Sequence, residues 1–84
     1  MDETLDLRGL KCPLPALLAQ KALALAAPGA LLTVLADDPL AVVDIPHMCH
    51  ARGHMLEGVR EMDGHRAFRI RRALPAPSPP GPDA

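Results

Sequence analysis

The sequence TLDLRGLKCPLPALLAQKALAL, residues 4–25, joins a predicted strand to a predicted helix and thereby sets the fold class. Leu5 and Leu7 alternate with polar residues, which is the period of a half-buried strand. Residues 13–25 are mostly strong helix formers, and Pro28-Gly29 is expected to end the helix. This part of the chain therefore predicts a β-to-α junction.

Cys12 lies at the start of this helix. Because proline can occupy the first helical position without losing a hydrogen bond, we predict that Pro13 is the first helical residue and Cys12 the N-cap. Cysteine is a poor cap, so the position indicates chemistry: the positive end of the helix dipole, with Arg8 and Lys11 nearby, favours a thiolate. Pro13 and Pro15 would fix the sulfur in place. From these residues alone, a small buried hydrophobe is an equal alternative.

Residues 30–36, ALLTVLA, form a continuous apolar run that is typical of a strand buried on both faces or nearly so. A strand that follows a strand and a helix is expected to pair in parallel through a right-handed crossover. The polar turn residues Asp37-Asp38-Pro39 would then end this strand.

A second helix is predicted from the cap-and-proline pattern of Asp44 and Pro46, and it should run to about Met55. Residues 40–43 are either already helical or part of the connection. Asp37 and Asp44 are explained in the first place as turn and cap residues.

Residues 56–72 predict a β-hairpin, because Asp63-Gly64 tolerates the positive φ angles of a tight turn. The last strand alternates apolar residues with arginines, which indicates a solvated basic face or, alternatively, a surface for an acidic protein. The whole pattern, β-α-β-α-β-β, predicts an α/β two-layer sandwich with two helices packed on one face of a four-stranded mixed sheet.

The sequence LDLRGLKCPLP, residues 5–15, resembles the signature of the TusA-like (SirA/TusA) sulfurtransferases. Asp37-Asp38-Pro39, Asp44-Ile45-Pro46 and Cys49 match the family's second block in order and spacing, and residues 64–72 resemble its closing strand. The resemblance covers about residues 4–72 and includes the CPxP motif that begins at Cys12.

The resemblance implies the same two-layer sandwich and a sulfur carrier domain in residues 1–72. Cys12 would accept a sulfane sulfur as a persulfide from a cysteine desulfurase or a rhodanese-like protein and relay it to an acceptor protein. This chemistry needs no cofactor or metal. The product would be 2-thiouridine in tRNA, the molybdenum cofactor or an oxidised sulfur species.

The resemblance also assigns supporting roles. In relatives, the second Asp of the Asp-Asp-Pro element lies near the reactive cysteine and helps to bind the acceptor, which implies the same role for Asp38. Some relatives have Glu where this chain has Leu14 and a basic residue where it has Val43. Leu14 therefore makes the expected partner-binding surface around Cys12 more apolar.

Other functions stay open at this point. A non-catalytic regulatory or adaptor domain of the same fold would tolerate Cys12→Ser. Cys49 is expected to pack in the core, with a resolving thiol as the lesser alternative. His47, His50 and His54 form a helical stripe, but a zinc site would need a further ligand and supporting hydrogen bonds, so we predict no metal.

Composition narrows the function classes. The chain has 84 residues, a net charge of −1, two cysteines and one Phe, Tyr or Trp residue, Phe68. These values argue against stable nucleic-acid binding and against a structural disulfide. With no signal peptide or membrane segment in the sequence, we expect a cytoplasmic protein, here taken as a monomer. Residues 73–84 are rich in proline and are predicted to be a disordered tail.

Overall fold

The chain folds in the predicted order β-α-β-α-β-β. The structure is a computed structural model that describes residues 2–74. In chain order, the elements are β1 (Asp2–Asp6), α1 (Leu14–Leu25), β2 (Leu31–Ala36), α2 (Ala41–Arg52), β3 (Met55–Met62) and β4 (His65–Arg71).

The four strands form one mixed sheet in the order β1-β2-β4-β3. β1 is parallel to β2, as the crossover rule predicts, whereas β4 is antiparallel to both β2 and β3. The register places Leu5 opposite Val34, and Val34 opposite Phe68. These three side chains therefore share the face of the sheet that the helices cover.

The core lies between this face and the two helices. Its largest fully buried side chains include Phe68 of β4, Leu23 of α1 and Ile45 of α2. Removal of a side chain of this size from water stabilises a fold by roughly 1.5–3 kcal/mol. Aliphatic packing around a single phenyl ring thus holds both helices, and with them the loops at their N-termini.

Helix α1 starts one residue later than predicted. Leu14 is its first residue and Pro13 its N-cap, so the prediction of Cys12 as N-cap was wrong. The reason is a turn that precedes the helix, in which the Leu14 amide donates to the Lys11 carbonyl over 2.8 Å. Cys12 lies inside this turn, one residue before the cap.

Residues 41–43 are helical, which is one of the two alternatives left open for them, and helix α2 ends earlier than predicted. It begins at Ala41, which places Asp44 in its first turn rather than at its cap. It ends at Arg52, because Gly53 takes a left-handed conformation with a φ of 76° and donates its amide to the carbonyls of Cys49 and His50. Such a glycine is the usual C-terminal stop signal, and it leaves Met55 free to begin β3.

The hairpin is formed as predicted, with its turn between Met62 and His65. Gly64 has a φ of 78°, a positive value of the kind that the predicted tight turn requires. A bulge between Leu56 and Gly58 interrupts the pairing of β3 with β4.

The end of the described chain is bonded to the domain. The Arg72 Nε donates to the Leu23 carbonyl over 2.9 Å, and the Ala73 amide donates to the His54 Nδ1 over 2.9 Å. The predicted tail therefore contains one residue, Ala73, with a hydrogen bond to the folded domain, and residues 75–84 of that tail lie outside the described residues. Within residues 2–74, none of the helices has the length and apolarity needed to span a membrane.

Candidate functional site

Cys12 lies in the loop between β1 and α1, at the edge of the sheet where the parallel strands β1 and β2 both end. The loop after β2 reaches the same edge, because the Leu7 amide donates to the Leu35 carbonyl over 2.8 Å beyond the end of β1. The Cys12 thiol is free and exposed. The edge therefore presents a thiol to solvent on a rigid part of the fold.

Three carboxylates surround this loop. Asp37 accepts hydrogen bonds from the Gly9 amide at 3.0 Å to each of its oxygens. The Asp38 Oδ2 accepts the Cys12 amide over 2.8 Å. The Asp44 Oδ2, from the first turn of α2, accepts the Cys12 thiol hydrogen over 2.7 Å. The aspartates that the sequence explains as turn and cap residues thus hold the Cys12 loop across 26–32 residues of chain.

Asp38 is turned inward. Only 8 % of its surface is exposed, and it is the only buried charged or polar residue among residues 2–74. A buried carboxylate normally needs hydrogen-bond donors, and the Cys12 amide supplies one. The geometry makes Asp38 the anchor of the Cys12 backbone; its role in binding an acceptor stays a prediction.

The electrostatics of Cys12 differ from the prediction. The hydrogen bond to Asp44, followed by desolvation and by the charges of Asp44 and Asp38, raises the pKa of the Cys12 thiol above its ordinary value of 9.0. The expectation of a depressed thiol pKa was therefore wrong. The physical reason is that Asp44 accepts a hydrogen bond from the thiol form, and that a thiolate would be less solvated and would face the charges of Asp44 and Asp38.

Arg8 does not supply the predicted positive field at the sulfur. Its guanidinium donates to both carboxylate oxygens of Asp6, at 2.9 and 2.8 Å, and this pair lowers the pKa of Asp6 to about 2. Lys11 is exposed beside Cys12 and forms no ion pair within residues 2–74. Of the two predicted cations, only Lys11 is without an ion pair among residues 2–74.

The two prolines and Leu14 lie at the start of α1. Pro13 caps α1 and is exposed, whereas Pro15 is fully buried and ties the first turn of the helix to the core. Leu14 is 45 % exposed, and Val43 at the start of α2 is 61 % exposed. The surface around the thiol is therefore apolar on both helices.

A groove of about 310 Å³ lies between α1 and α2. Pro13 and Leu17 line it on the α1 side, and Asp44 and His47 line it on the α2 side. The Asp44 side chain is therefore reached from this groove as well as bonded to Cys12.

The remaining candidates are not part of this site. Cys49 is 2 % exposed in the core, as predicted, and burial raises its thiol pKa to about 11. His54 accepts the Ala73 amide, and burial is the main cause that lowers its pKa below 6.5. Within residues 2–74, no three His, Cys, Asp or Glu side chains are grouped as a metal site would require.

Sequence reasoning missed two contacts, those of Asp44 with the Cys12 thiol and of His54 with Ala73. The first had a usable signal. Parallel β1 and β2 must end at one edge, so the loop with Cys12 and the segment from Asp37 to Asp44 had to be neighbours. The second contact has no local sequence signal, because it joins residues 19 apart through an irregular segment.

Comparisons with known proteins place the chain in a family. Residues 3–72 match the family model described as sulfurtransferase TusA. A candidate sulfur carrier protein of Neisseria meningitidis serogroup A is 53 % identical over 62 residues, which cover 74 % of this chain and 84 % of the relative. The sulfur carrier protein TusA of Pseudomonas entomophila is 41 % identical over 71 residues, with 84 % and 89 % covered.

The fold has a solved counterpart as well. The crystal structure of a SirA-like protein from Desulfitobacterium hafniense superposes with a TM-score of 0.73 at 30 % identity. The match covers 84 % of this chain and 97 % of that protein.

Proposed function

Since the chain belongs to the TusA family of sulfurtransferases, we propose that it is a monomeric, cytoplasmic sulfur carrier whose Cys12 holds the sulfur as a persulfide. The observation that carries this proposal is the placement of Cys12: an exposed thiol whose backbone is anchored by the buried Asp38. A carrier has to meet a donor and an acceptor through the same atom, and this edge is open to both.

The loading step needs only thiol chemistry. Cys12, once deprotonated, attacks the sulfane sulfur of a persulfide on a cysteine desulfurase or rhodanese-like donor. The new bond forms between the Cys12 Sγ and that sulfur as the donor's S–S bond breaks. The donor cysteine leaves as a thiolate and takes up a proton, so electrons and protons balance without an external oxidant or reductant.

Release repeats the step in the other direction. A thiolate of the acceptor protein attacks the outer sulfur of the Cys12 persulfide, and Cys12 leaves as a thiolate. The routes that we consider for the acceptor are those to 2-thiouridine in tRNA, to the molybdenum cofactor and to oxidised sulfur species. Deletion of the gene, followed by measurement of tRNA 2-thiouridine, separates the first route from the other two.

The supporting residues follow from the geometry. Asp38 fixes the Cys12 backbone, and Pro13 and Pro15 set the start of α1 behind it. Exposed Lys11 is available to the anionic outer sulfur of the persulfide, whereas Arg8 is engaged with Asp6. Leu14 offers an apolar contact to a partner beside the thiol.

The experiment is the intact mass of the protein after incubation with a cysteine desulfurase and cysteine. We expect the wild type and Cys49→Ser to gain one sulfur atom that a reducing agent removes, and Cys12→Ser to gain none. Cys49→Ser is the matched control because it removes the other thiol of the chain. Loading of Cys12→Ser to the wild-type level would contradict the proposal.

A second function has one observation in its favour. A raised Cys12 pKa is the reverse of what a freely reactive thiol shows, and a regulatory or adaptor domain of the same fold would not need reactivity. If no donor loads Cys12 and Cys12→Ser retains the function of the protein in cells, the adaptor replaces the carrier.

A further inference from the structure

We infer that Asp44 restrains Cys12: its carboxylate keeps the thiol hydrogen in place and so protects the sulfur from reaction with electrophiles in solution. The inference rests on the proposed function only in that Cys12 is taken as the working thiol. Asp44 is a positioning residue in this reading, because it acts on the sulfur through its proton and not on the transferred atom.

Each of the two residues in this hydrogen bond also donates its own backbone amide to a second acceptor. The Asp44 amide donates to the Leu40 carbonyl over 2.9 Å at the start of α2, and the Cys12 amide donates to Asp38 over 2.8 Å. The distance of 2.7 Å between the Cys12 Sγ and the Asp44 Oδ2 is therefore fixed by two separate elements. A thiolate has no proton to share and would face the carboxylate as a like charge, so the contact stabilises the thiol form alone.

The carboxylates on the elements packed around Cys12 also disfavour its thiolate form. Asp38 comes from the loop after β2 and Asp44 from α2, and both act against ionisation of Cys12. Asp37 is turned to the Gly9 amide, and Lys11 is the neighbour of Cys12 in the chain. His47 and Arg52 line the groove between the helices together with Asp44.

Neither of those two groups neutralises Asp44. The ion pairs of residues 2–74 are Arg8–Asp6, Arg66–Glu61 and Arg71–Glu57, and Asp44 takes part in none of them. Its one polar side-chain contact in the described chain is the Cys12 thiol. A carboxylate in the first turn of α2 would be expected simply to favour the helix dipole, but this one is also directed at the sulfur.

Restraint of this kind has a use in a carrier. Thiolates, not thiols, are the form that oxidants and alkylating agents attack. A thiol that stays protonated between encounters is preserved for its protein partner. The same carboxylate makes Cys12 a poorer leaving group, which slows loss of a bound sulfur to small thiols.

The test is the rate of Cys12 alkylation by iodoacetamide as a function of pH, followed by site-resolved mass spectrometry. It compares the wild type with Asp44→Asn, which keeps the shape and removes the charge, and with Asp37→Asn as the matched control. Removal of this charge should lower the Cys12 thiol pKa, because the hydrogen bond and the charge of Asp44 are among the causes that raise it.

The expected profiles cross. Below the thiol pKa, the larger thiolate fraction is only partly offset by the weaker nucleophilicity of that thiolate, so Asp44→Asn should react several-fold faster than the wild type. Above both pKa values, the order should reverse by a similar factor. Asp37→Asn should follow the wild type throughout. A purely structural effect of the substitution would shift the rate in one direction at all pH values.

Parallel profiles, or slower alkylation of Asp44→Asn at neutral pH, would overturn the inference. If Asp44→Asn does not fold, Asp44→Ser takes its place, and the ultraviolet absorbance of the thiolate gives a second titration. Because alkylation needs no sulfur donor, this result is independent of the loading experiment. If the alkylation profiles cross but no donor loads sulfur onto Cys12, the inference about Asp44 stands and the sulfur-carrier proposal fails.

Discussion

Asp38→Ala should destabilise the fold more than any other change of a polar residue at the site. Asp38 is 8 % exposed, and its Oδ2 accepts the Cys12 amide over 2.8 Å. A hydrogen bond to a charged group contributes roughly 1.5–3 kcal/mol, and the amide would lose it. Because Cys12 itself is exposed, water can reach the amide in part, so we expect a loss of about 2 kcal/mol.

The assay is unfolding in urea, monitored by circular dichroism. A loss of about 2 kcal/mol in the free energy of unfolding should lower the Tm of a domain of this size by roughly 10 °C. The urea midpoint should fall at an unchanged m-value. Asp38→Asn keeps an acceptor oxygen and should lose about half as much.

The matched control is Asp37→Ala. Asp37 also accepts a backbone amide, that of Gly9, but it is exposed, so water can replace it and the loss should stay below about 1 kcal/mol. Equal stabilities of Asp38→Ala and Asp37→Ala, or an Asp38→Ala protein within about 0.5 kcal/mol of the wild type, would refute the anchoring role. Asp38 would then be left with only its predicted role in binding an acceptor protein.

Three further predictions address the rest of the domain. Cys49, fully buried with a thiol pKa of about 11, should alkylate only as the protein unfolds, so its labelling rate should rise with urea; labelling at the Cys12 rate in native buffer would contradict its burial. Gly53→Ala should cost about 1 kcal/mol because Gly53 has a φ of 76°, whereas Gly58→Ala, without a positive φ and with open space at its Cβ, should cost almost nothing in the same urea assay. His54 has a pKa lowered below 6.5 in the fold, so the unfolded state binds the proton first: the free energy of unfolding should fall as the pH drops through about 6.5 and level off below the folded pKa. His54→Gln should remove this pH dependence, and an unchanged slope would show that the burial of His54 is not its cause.

The class of the fold is encoded locally. Alternating leucines before Gly9, strong helix formers after Cys12 and the apolar run at residues 30–36 each fix an element through backbone propensity and the side-chain period. The parallel pairing of β1 with β2 then follows from the handedness of crossovers, and the hairpin follows from Asp63-Gly64. None of these steps needs a distant contact.

The ends of the helices depended on contacts beyond the local pattern. The turn from Lys11 to Leu14 moved the start of α1, and the amide bonds of Gly53 stopped α2 before Met55. The sequence offered Pro13 and Asp44 as start signals, and they lie one and three residues, respectively, from the first residue of the helix that forms. Cap positions are set by which backbone groups find partners, and those partners come from the three-dimensional fold.

The sequence by itself determined that Cys12 stands in a CPxP motif ahead of a helix, and the resemblance of residues 4–72 to the TusA family then selected this cysteine as the candidate. Only the tertiary structure determined the charge around it. Asp38 and Asp44 lie 26 and 32 residues away in the chain, and they reach the amide and the thiol of Cys12 because parallel strands end at one edge. Electrostatic effects depend on distance in space, and distance in space across such a span is a property of the fold.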